Sequence, residues 1–136
     1  MAPIRPQAAS NKARRRAPRA LSGAAQLALE RLRRLCAGWD GVAENLSFGH
    51  PTFRVGGAPF AVLDRYDDSD CLWLKVPPAA RDALLAARGW FAAPYDPRRT
   101  ALCVRLDTID WRRMRAHIRV SYALAATPRK GRNAGR

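Results

Sequence analysis

The sequence has few residues of the kinds that build catalytic or metal sites. Its 136 residues include only two histidines and three cysteines. The cysteines, Cys36, Cys71 and Cys103, stand in no CxxC spacing, and each lies within an apolar stretch, so we expect reduced thiols in the core. His50 stands in a glycine–proline turn and His117 at the edge of an apolar helix face, and neither has ligand-type neighbours. We therefore predict a protein that is not an enzyme and holds no metal and no cofactor.

Long apolar runs are also missing. No stretch approaches the roughly 18 apolar residues of a membrane-spanning helix. The basic N-terminus is not followed by the apolar core of a signal peptide. We therefore expect a cytoplasmic protein with no membrane partner.

Acidic residues are scarce, and their one concentration is a turn at residues 64–70. If Asp64 were position one of a calcium loop, Ser69 would stand where glycine is needed, and Lys75 would replace the bidentate glutamate. The turn is therefore predicted to be hydrated and free of metal. Its charge would repel a polyanion.

Positive charge is abundant, and lysine contributes little of it. The net charge is +14, and only three of the 25 basic residues are lysine. Residues 1–20 carry six basic side chains and no acid, including Arg14, Arg15 and Arg16, and the last ten residues carry four and no acid. We predict disordered basic tails at 1–20 and 129–136 around one domain at 21–128. The first tail is either an arm that grips nucleic acid or a solubilising segment. The arginine bias suits phosphate binding, but GC-rich codons would also produce it.

Hydrophobic periodicity and turn signals predict an α+β domain of three helices and about four antiparallel strands. The clearest signal is a hairpin, because Gly56 and Gly57 separate two strand-forming runs. The last helix is predicted to start after Asp110, its N-cap. The remaining predicted elements are a helix from Ser22, its N-cap, to Gly38, a loop at 40–45, strands at 51–55, 60–63, 71–76 and 101–106, a helix from Pro77 to Gly89, and a loop at 90–99.

Seven short segments, in order from about Leu29 to Pro128, carry a family resemblance. They include Phe48-Gly49-His50-Pro51-Thr52-Phe53-Arg54-Val55 before the double glycine, Leu72-Trp73-Leu74-Lys75, Pro94-Tyr95, Val104-Arg105-Leu106-Asp107 and Ser121-Tyr122. Together they resemble the MmcQ/YjbR family, small bacterial domains usually labelled DNA-binding. The resemblance implies a compact fold likened to the frataxin-type sandwich. Two features depart from the family pattern: Ala58 replaces a frequent lysine, and Thr100-Ala101 replace Gly-Trp.

Candidate binding residues are all arginines. Arg112, Arg115 and Arg119 advance by three and four residues, so they share one helix face and can meet consecutive phosphates. A solvated amphipathic face is the alternative. Arg98 and Arg99 on the preceding loop are expected to extend this patch, and Arg14, Arg15 and Arg16 supply a second basic segment.

The leading hypothesis is a non-enzymatic domain that binds nucleic acid, DNA in preference to RNA, mainly through phosphate contacts. The alternative is a protein-interaction or small-ligand module with incidental basic tails. The two are distinguished by the position of the arginines, since one continuous positive face favours nucleic acid. The oligomeric state is left open.

Overall fold

The computed structural model describes residues 20–127, so the two predicted tails, with Arg14, Arg15 and Arg16, lie outside the described residues. The elements in chain order are α1 (Gly23–Cys36), β1 (Val42–Ser47), β2 (His50–Val55), β3 (Ala58–Tyr66), β4 (Ser69–Lys75), a 3-10 turn (Pro78–Ala80), α2 (Arg81–Leu85), β5 (Trp90–Ala92), β6 (Ala101–Arg105), a second 3-10 turn (Leu106–Thr108) and α3 (Trp111–Ala126). No helix in this part of the chain is both long and apolar enough to span a bilayer.

The strands form one antiparallel sheet of six in the order β1-β2-β3-β4-β6-β5. The prediction of about four strands is wrong, because both edge strands lie where loops were expected. β1 contains Glu44, Asn45 and Ser47 and is mostly exposed, so it lacks the apolar signal of a strand. β5 is only three residues long, too short to show a period. β1 is a strand because it pairs with β2, and β5 is a strand because it pairs with β6.

The predicted hairpin is confirmed as β2 and β3. Gly56 and Gly57 have φ angles of 56° and 82°, the left-handed values that a tight turn between antiparallel strands requires. A bulge between Phe53 and Arg54 shifts the register within this pair. β4, with its nearly continuous apolar run, occupies an interior position in the sheet.

The helices α1 and α3 pack on the same face of the sheet. Both predicted caps are present: the Ser22 hydroxyl accepts from the Ala25 amide, and the Asp110 carboxylate accepts from the Arg112 amide. The helix predicted after Pro77 is shorter than expected, since a 3-10 turn precedes the five-residue α2. The main core lies under α1 and α3. Its fully buried members include Leu32, Phe60, Leu63, Leu72, Leu74 and Ile118.

A buried serine fixes α3 to the sheet. The Ser121 hydroxyl donates to the Phe60 carbonyl at 2.6 Å and accepts from the Lys75 amide at 2.9 Å. At the other end of the sheet, the Ser22 hydroxyl donates to Asp70 at the start of β4. Because β6 ends beside the start of β4 and leads into α3, both long helices begin at that end of the sheet.

The opposite face of the sheet carries a smaller apolar cluster. Its buried members are Cys71, Ala93, Ala101 and Cys103, and the half-buried Tyr66, Trp73 and Phe91 pack against them. The sheet therefore has a core under α1 and α3 and a second, aromatic face.

Candidate nucleic-acid interface

The three predicted arginines lie on the exposed side of α3. Met114 and Ile118 are buried against the sheet, whereas Arg112, Arg115 and Arg119 are exposed. We call these three residues the arginine stripe. Arg115 borders the same surface cavity as residues of α1, so the stripe reaches the junction of the two helices at this residue.

The cavity at this junction is basic. Its volume is about 320 Å³, and it is lined by Arg31, Arg34, Leu35, Trp111 and Arg115. We call this set the basic groove. Three of its five residues are arginines drawn from two helices, and its apolar surface comes from one leucine and one tryptophan. No carboxylate lines it.

Aromatic rings support the arginines at both ends of this surface. The Arg31 guanidinium carbon lies 5.6 Å from the Trp111 ring centroid. The Arg119 guanidinium carbon lies 4.8 Å from the centroid of Trp39 and 5.1 Å from that of Tyr122. An aromatic face attracts the cation and fixes its plane but leaves its charge uncancelled. The N–H edges of both guanidinium groups are therefore available to an acceptor.

Four of the nine other arginines in the described domain have acidic partners. The pairs are Arg33 with Glu44, Arg65 with Asp70, Arg105 with Asp107 and Arg113 with Asp110. Within residues 20–127, no ion pair involves a member of the arginine stripe or the arginines of the basic groove. These five side chains thus form a positive surface without internal neutralisation.

The loop of Arg98 and Arg99 is hydrogen-bonded to α2 and to Val76, the residue after β4, whose amide donates to the Thr100 carbonyl. His117, opposite the stripe, stacks edge-on against Trp90 of β5 at 5.2 Å, so the β5–β6 side is separated from α1 by the helix itself. Both arginines are exposed, and the Arg99 carbonyl accepts from the Arg81 guanidinium at 2.9 Å. Across residues 20–127, no hydrogen bond joins this loop to α3. The structure therefore does not bring Arg98 and Arg99 together with the stripe.

Sequence reasoning missed the contribution of α1. Arg31 and Arg34 flank the apolar stripe of that helix, which is all that the sequence shows of them. Their role depends on α3 docking alongside, a long-range contact that no local pattern encodes. Trp39, which supports Arg119, follows α1 in the connection to β1 and carries no signal of its own.

The two histidines have structural surroundings. His50 Nε2 lies 3.4 Å from Asp64 Oδ1, and the Tyr66 hydroxyl donates to Asp64 Oδ2 at 2.7 Å. Burial and the hydrogen bond to Asp64 raise the pKa of Tyr66 above its usual range, so the phenol stays protonated. His117 is half-buried, and this burial lowers its pKa. In residues 20–127, no three His, Cys, Asp or Glu side chains are grouped to hold a metal ion. The absence of a metal stays a prediction.

All three cysteines are buried free thiols, as expected. Burial raises the pKa of Cys36 to about 11. The pKa of Cys103 is raised above its usual range by its hydrogen bond with Cys71 and by burial. Since the thiolate is the nucleophile, these groups are poorly suited to covalent chemistry.

A second cavity opens near the β3–β4 turn. Its volume is about 460 Å³, and its lining includes Tyr66, Trp90, Phe91 and Arg105. The Tyr66 and Phe91 rings meet edge to face at 6.4 Å. We call this the aromatic cavity. It is separate from the basic groove, with which it shares no lining residue.

Comparisons with known proteins agree with this architecture. A crystal structure of a Deinococcus radiodurans protein with the domain DUF419 is 25% identical, covers 76% of this chain and 80% of its own, and superimposes with a TM-score of 0.64. A structural genomics target from Pseudomonas syringae is 15% identical, covers 71% of this chain and 97% of its own, and has a TM-score of 0.58, which shows a shared fold. No curated protein matches. The sequence model of the YjbR family matches residues 37–124, and the chain therefore belongs to the YjbR family.

Proposed function

We propose that this domain binds the phosphate backbone of nucleic acid along the junction of α1 and α3. One observation carries the proposal: five arginines from these two helices share a surface on which none has a carboxylate partner among residues 20–127. Such a surface attracts polyanions at a distance and releases counterions on binding.

The chemistry of arginine matches this role. A planar guanidinium donates two parallel hydrogen bonds to phosphate oxygens, and contact with an aromatic ring fixes its orientation in advance. The arginine stripe supplies positive charge along α3, and the basic groove adds Arg31 and Arg34 from the neighbouring helix. Phosphate contacts position a nucleic acid and do not read its sequence. We therefore propose a binder with weak sequence preference, with DNA favoured over RNA on the family resemblance alone.

Binding rather than catalysis is proposed because of the residue types at this surface. Its polar members are arginines, which stay protonated and cannot serve as general bases. The titratable groups His50, Asp64 and Tyr66 lie on other elements and bond to one another.

The proposal is tested by a salt series of binding titrations. The titrations use a labelled DNA duplex with the full chain and with residues 21–128, so that the tails are separated from the domain. Arg112→Ala/Arg115→Ala/Arg119→Ala should flatten the slope of log affinity against log salt by roughly 2 to 3 units, since each phosphate contact contributes about 0.9. Different sequences should lose affinity about equally.

A charge-matched control separates this surface from net charge. Arg88→Ala/Arg98→Ala/Arg113→Ala removes the same three charges from exposed positions outside the stripe. Its slope should stay close to that of the parent. Equal effects of the two triple variants would contradict a defined interface. If residues 21–128 bind no nucleic acid at low salt, the folded domain is not the binding module.

A second candidate function is small-ligand binding, and the aromatic cavity favours it. Its 460 Å³ falls in the range of ligand pockets, and its three aromatic side chains suit a flat molecule, with Arg105 and Asp67 as the charged members of the lining. Nuclear magnetic resonance titration with aromatic carboxylates tests this candidate. Saturable shifts confined to Tyr66, Phe91 and Arg105 would support it, and their absence would exclude this ligand class.

A further inference from the structure

We propose that the basic groove receives the terminal phosphomonoester at the end of a nucleic-acid strand, while Arg112 and Arg119 of α3 contact internal phosphates. The inference rests on the proposed function and goes beyond it by naming the chemical group that distinguishes the groove from the rest of the surface. Nothing in the sequence of either helix alone points to such a site.

The number of donors in the groove favours a terminal phosphate. Arg31, Arg34 and Arg115 border one cavity of about 320 Å³. An internal phosphodiester has two unbridged oxygens and a single negative charge. A terminal phosphomonoester has three and carries about −1.5 to −2 charges at pH 7. Only the terminal group can present a separate oxygen to each of three guanidinium groups.

The charge balance of the groove points the same way. Three like charges around a small cavity repel one another, and no carboxylate among the lining residues relieves them. A dianion offsets more of this repulsion than a monoanion does. Leu35 and Trp111 form the apolar part of the lining and carry no charge that would oppose an anion.

The shape of the site separates strand ends from strand interiors. The groove gathers three exposed guanidinium groups from two helices around one cavity, whereas Arg112 and Arg119 lie on α3 and do not line it. A continuous backbone can follow these two side chains along the helix. A cavity of this volume accommodates a single terminal group and not a duplex.

The experiment compares oligonucleotides that differ only at their ends. Single strands of one sequence with an internal fluorophore carry a 5′-phosphate, a 3′-phosphate or hydroxyls at both ends, and each is titrated with the full chain. One further charge-assisted hydrogen bond and the added charge should make a phosphorylated end bind about 10-fold more tightly than hydroxyl ends. Inorganic phosphate should compete for this increment and leave the remaining affinity in place.

Matched variants assign the increment to the groove. Arg34→Ala/Arg115→Ala should abolish the preference for a phosphorylated end, whereas Arg88→Ala/Arg113→Ala, with the same charge loss, should keep it. Arg34→Lys/Arg115→Lys keeps the charge and loses the planar guanidinium, so it should retain a reduced preference for a phosphorylated end. If the alanine variant does not fold, this lysine variant tests the groove in its place. Thermal unfolding confirms that each variant is folded.

A pH series gives an independent readout. The second pKa of a phosphomonoester is about 6, so the preference should shrink between pH 7.5 and pH 5.5. The hydroxyl-ended strand reports any general effect of pH on the protein. A preference that does not change with pH would overturn the assignment to a dianion.

Failure of this inference differs from failure of the proposed function. Equal affinity for all three strands, with binding intact, overturns the terminal-phosphate site and leaves the backbone interface standing. A preference that survives in the Arg34→Ala/Arg115→Ala variant places the terminal phosphate elsewhere and also overturns it. Absence of binding to every strand overturns both.

Discussion

Two regions of this domain hold arginines that differ in their partners. Around the rim of the sheet, Arg65 and Arg105 meet carboxylates of their own hairpin or turn. At the α1–α3 junction, Arg31 and Arg119 meet aromatic rings instead. A carboxylate cancels the charge of its partner, whereas a ring fixes the guanidinium and leaves its charge in place. One residue type thus stabilises turns in the first region and presents charge to solvent in the second.

This difference shows why the number of arginines does not locate a binding surface. An exposed ion pair contributes little to stability and little to the field outside the protein, because its two charges offset each other. An arginine stacked on a ring contributes to both. The partners of a basic side chain therefore indicate a binding surface better than its exposure does.

The largest expected effect comes from removing the packing beneath Arg119. Phe60 is fully buried, and its ring lies 6.3 Å from Trp39 and 5.4 Å from Tyr122. Phe60→Ala should lower the free energy of unfolding by about 3–5 kcal/mol in urea titration. Tyr95→Ala, at a side chain that is 98% exposed, should change it by less than about 0.5 kcal/mol. Similar losses in the two variants would contradict the described cluster.

The next effect concerns the attachment of α3 to the sheet. Ser121→Ala removes the acceptor of the Lys75 amide and the donor to the Phe60 carbonyl in a buried position. Unfolding free energy should fall by about 1–3 kcal/mol, the cost of leaving buried polar groups without these bonds. Chemical denaturation of the Ser121→Ala variant measures this loss, and the Ser47→Ala variant is the control. A neutral Ser121→Ala would show that the two bonds do not hold α3.

Two double-mutant cycles compare the regions directly. The exposed Arg33–Glu44 pair should show a coupling energy of about 0.2–1 kcal/mol at low salt. This coupling should nearly vanish at 1 M salt, where the screening length is about 3 Å. The Arg119–Trp39 contact should couple by about 0.5–1 kcal/mol and keep more of that value, because the cation touches the ring. If salt lowered the two coupling energies equally, arginines on aromatic rings and arginines in ion pairs would not differ in the way described.

A smaller effect is expected at the other side of α3. Burial lowers the pKa of His117 in the folded state, so the unfolded chain binds the proton more readily. The contribution of this group is complete above its unfolded pKa of about 6.5 and is lost as the pH falls towards the folded value. His117→Gln should therefore weaken the decline in stability between pH 7 and pH 5. An unchanged pH profile would show that His117 is solvated.

The smallest effect is expected from removal of the tails. The tails have almost no periodic apolar content, so residues 21–128 should melt within a few degrees of the full chain. Differential scanning calorimetry checks this. A large loss of cooperativity would show that the tails pack on the domain, and the predicted boundaries would be wrong.

The sequence predicts the local features of this fold better than its edges. Gly56-Gly57, the caps Ser22 and Asp110 and the spacing of the arginine stripe all act over a few residues, and the structure has each of them. The edge strands β1 and β5 exist because neighbouring strands supply hydrogen-bond partners. The basic groove likewise needs α1 beside α3, and periodicity within either helix contains no information about that contact.

The basic groove joins the first and last helices of the described domain. A ligand that bridges Arg34 and Arg115 therefore closes almost the whole folded chain into a loop, in the manner of a reversible cross-link. Local opening of either helix would release it, so the bound and fully folded states are thermodynamically linked. At a ligand concentration 100 times its dissociation constant, this linkage adds about 2.7 kcal/mol to the free energy of unfolding. The stability of the folded protein would thus depend on the concentration of the anion that occupies the groove.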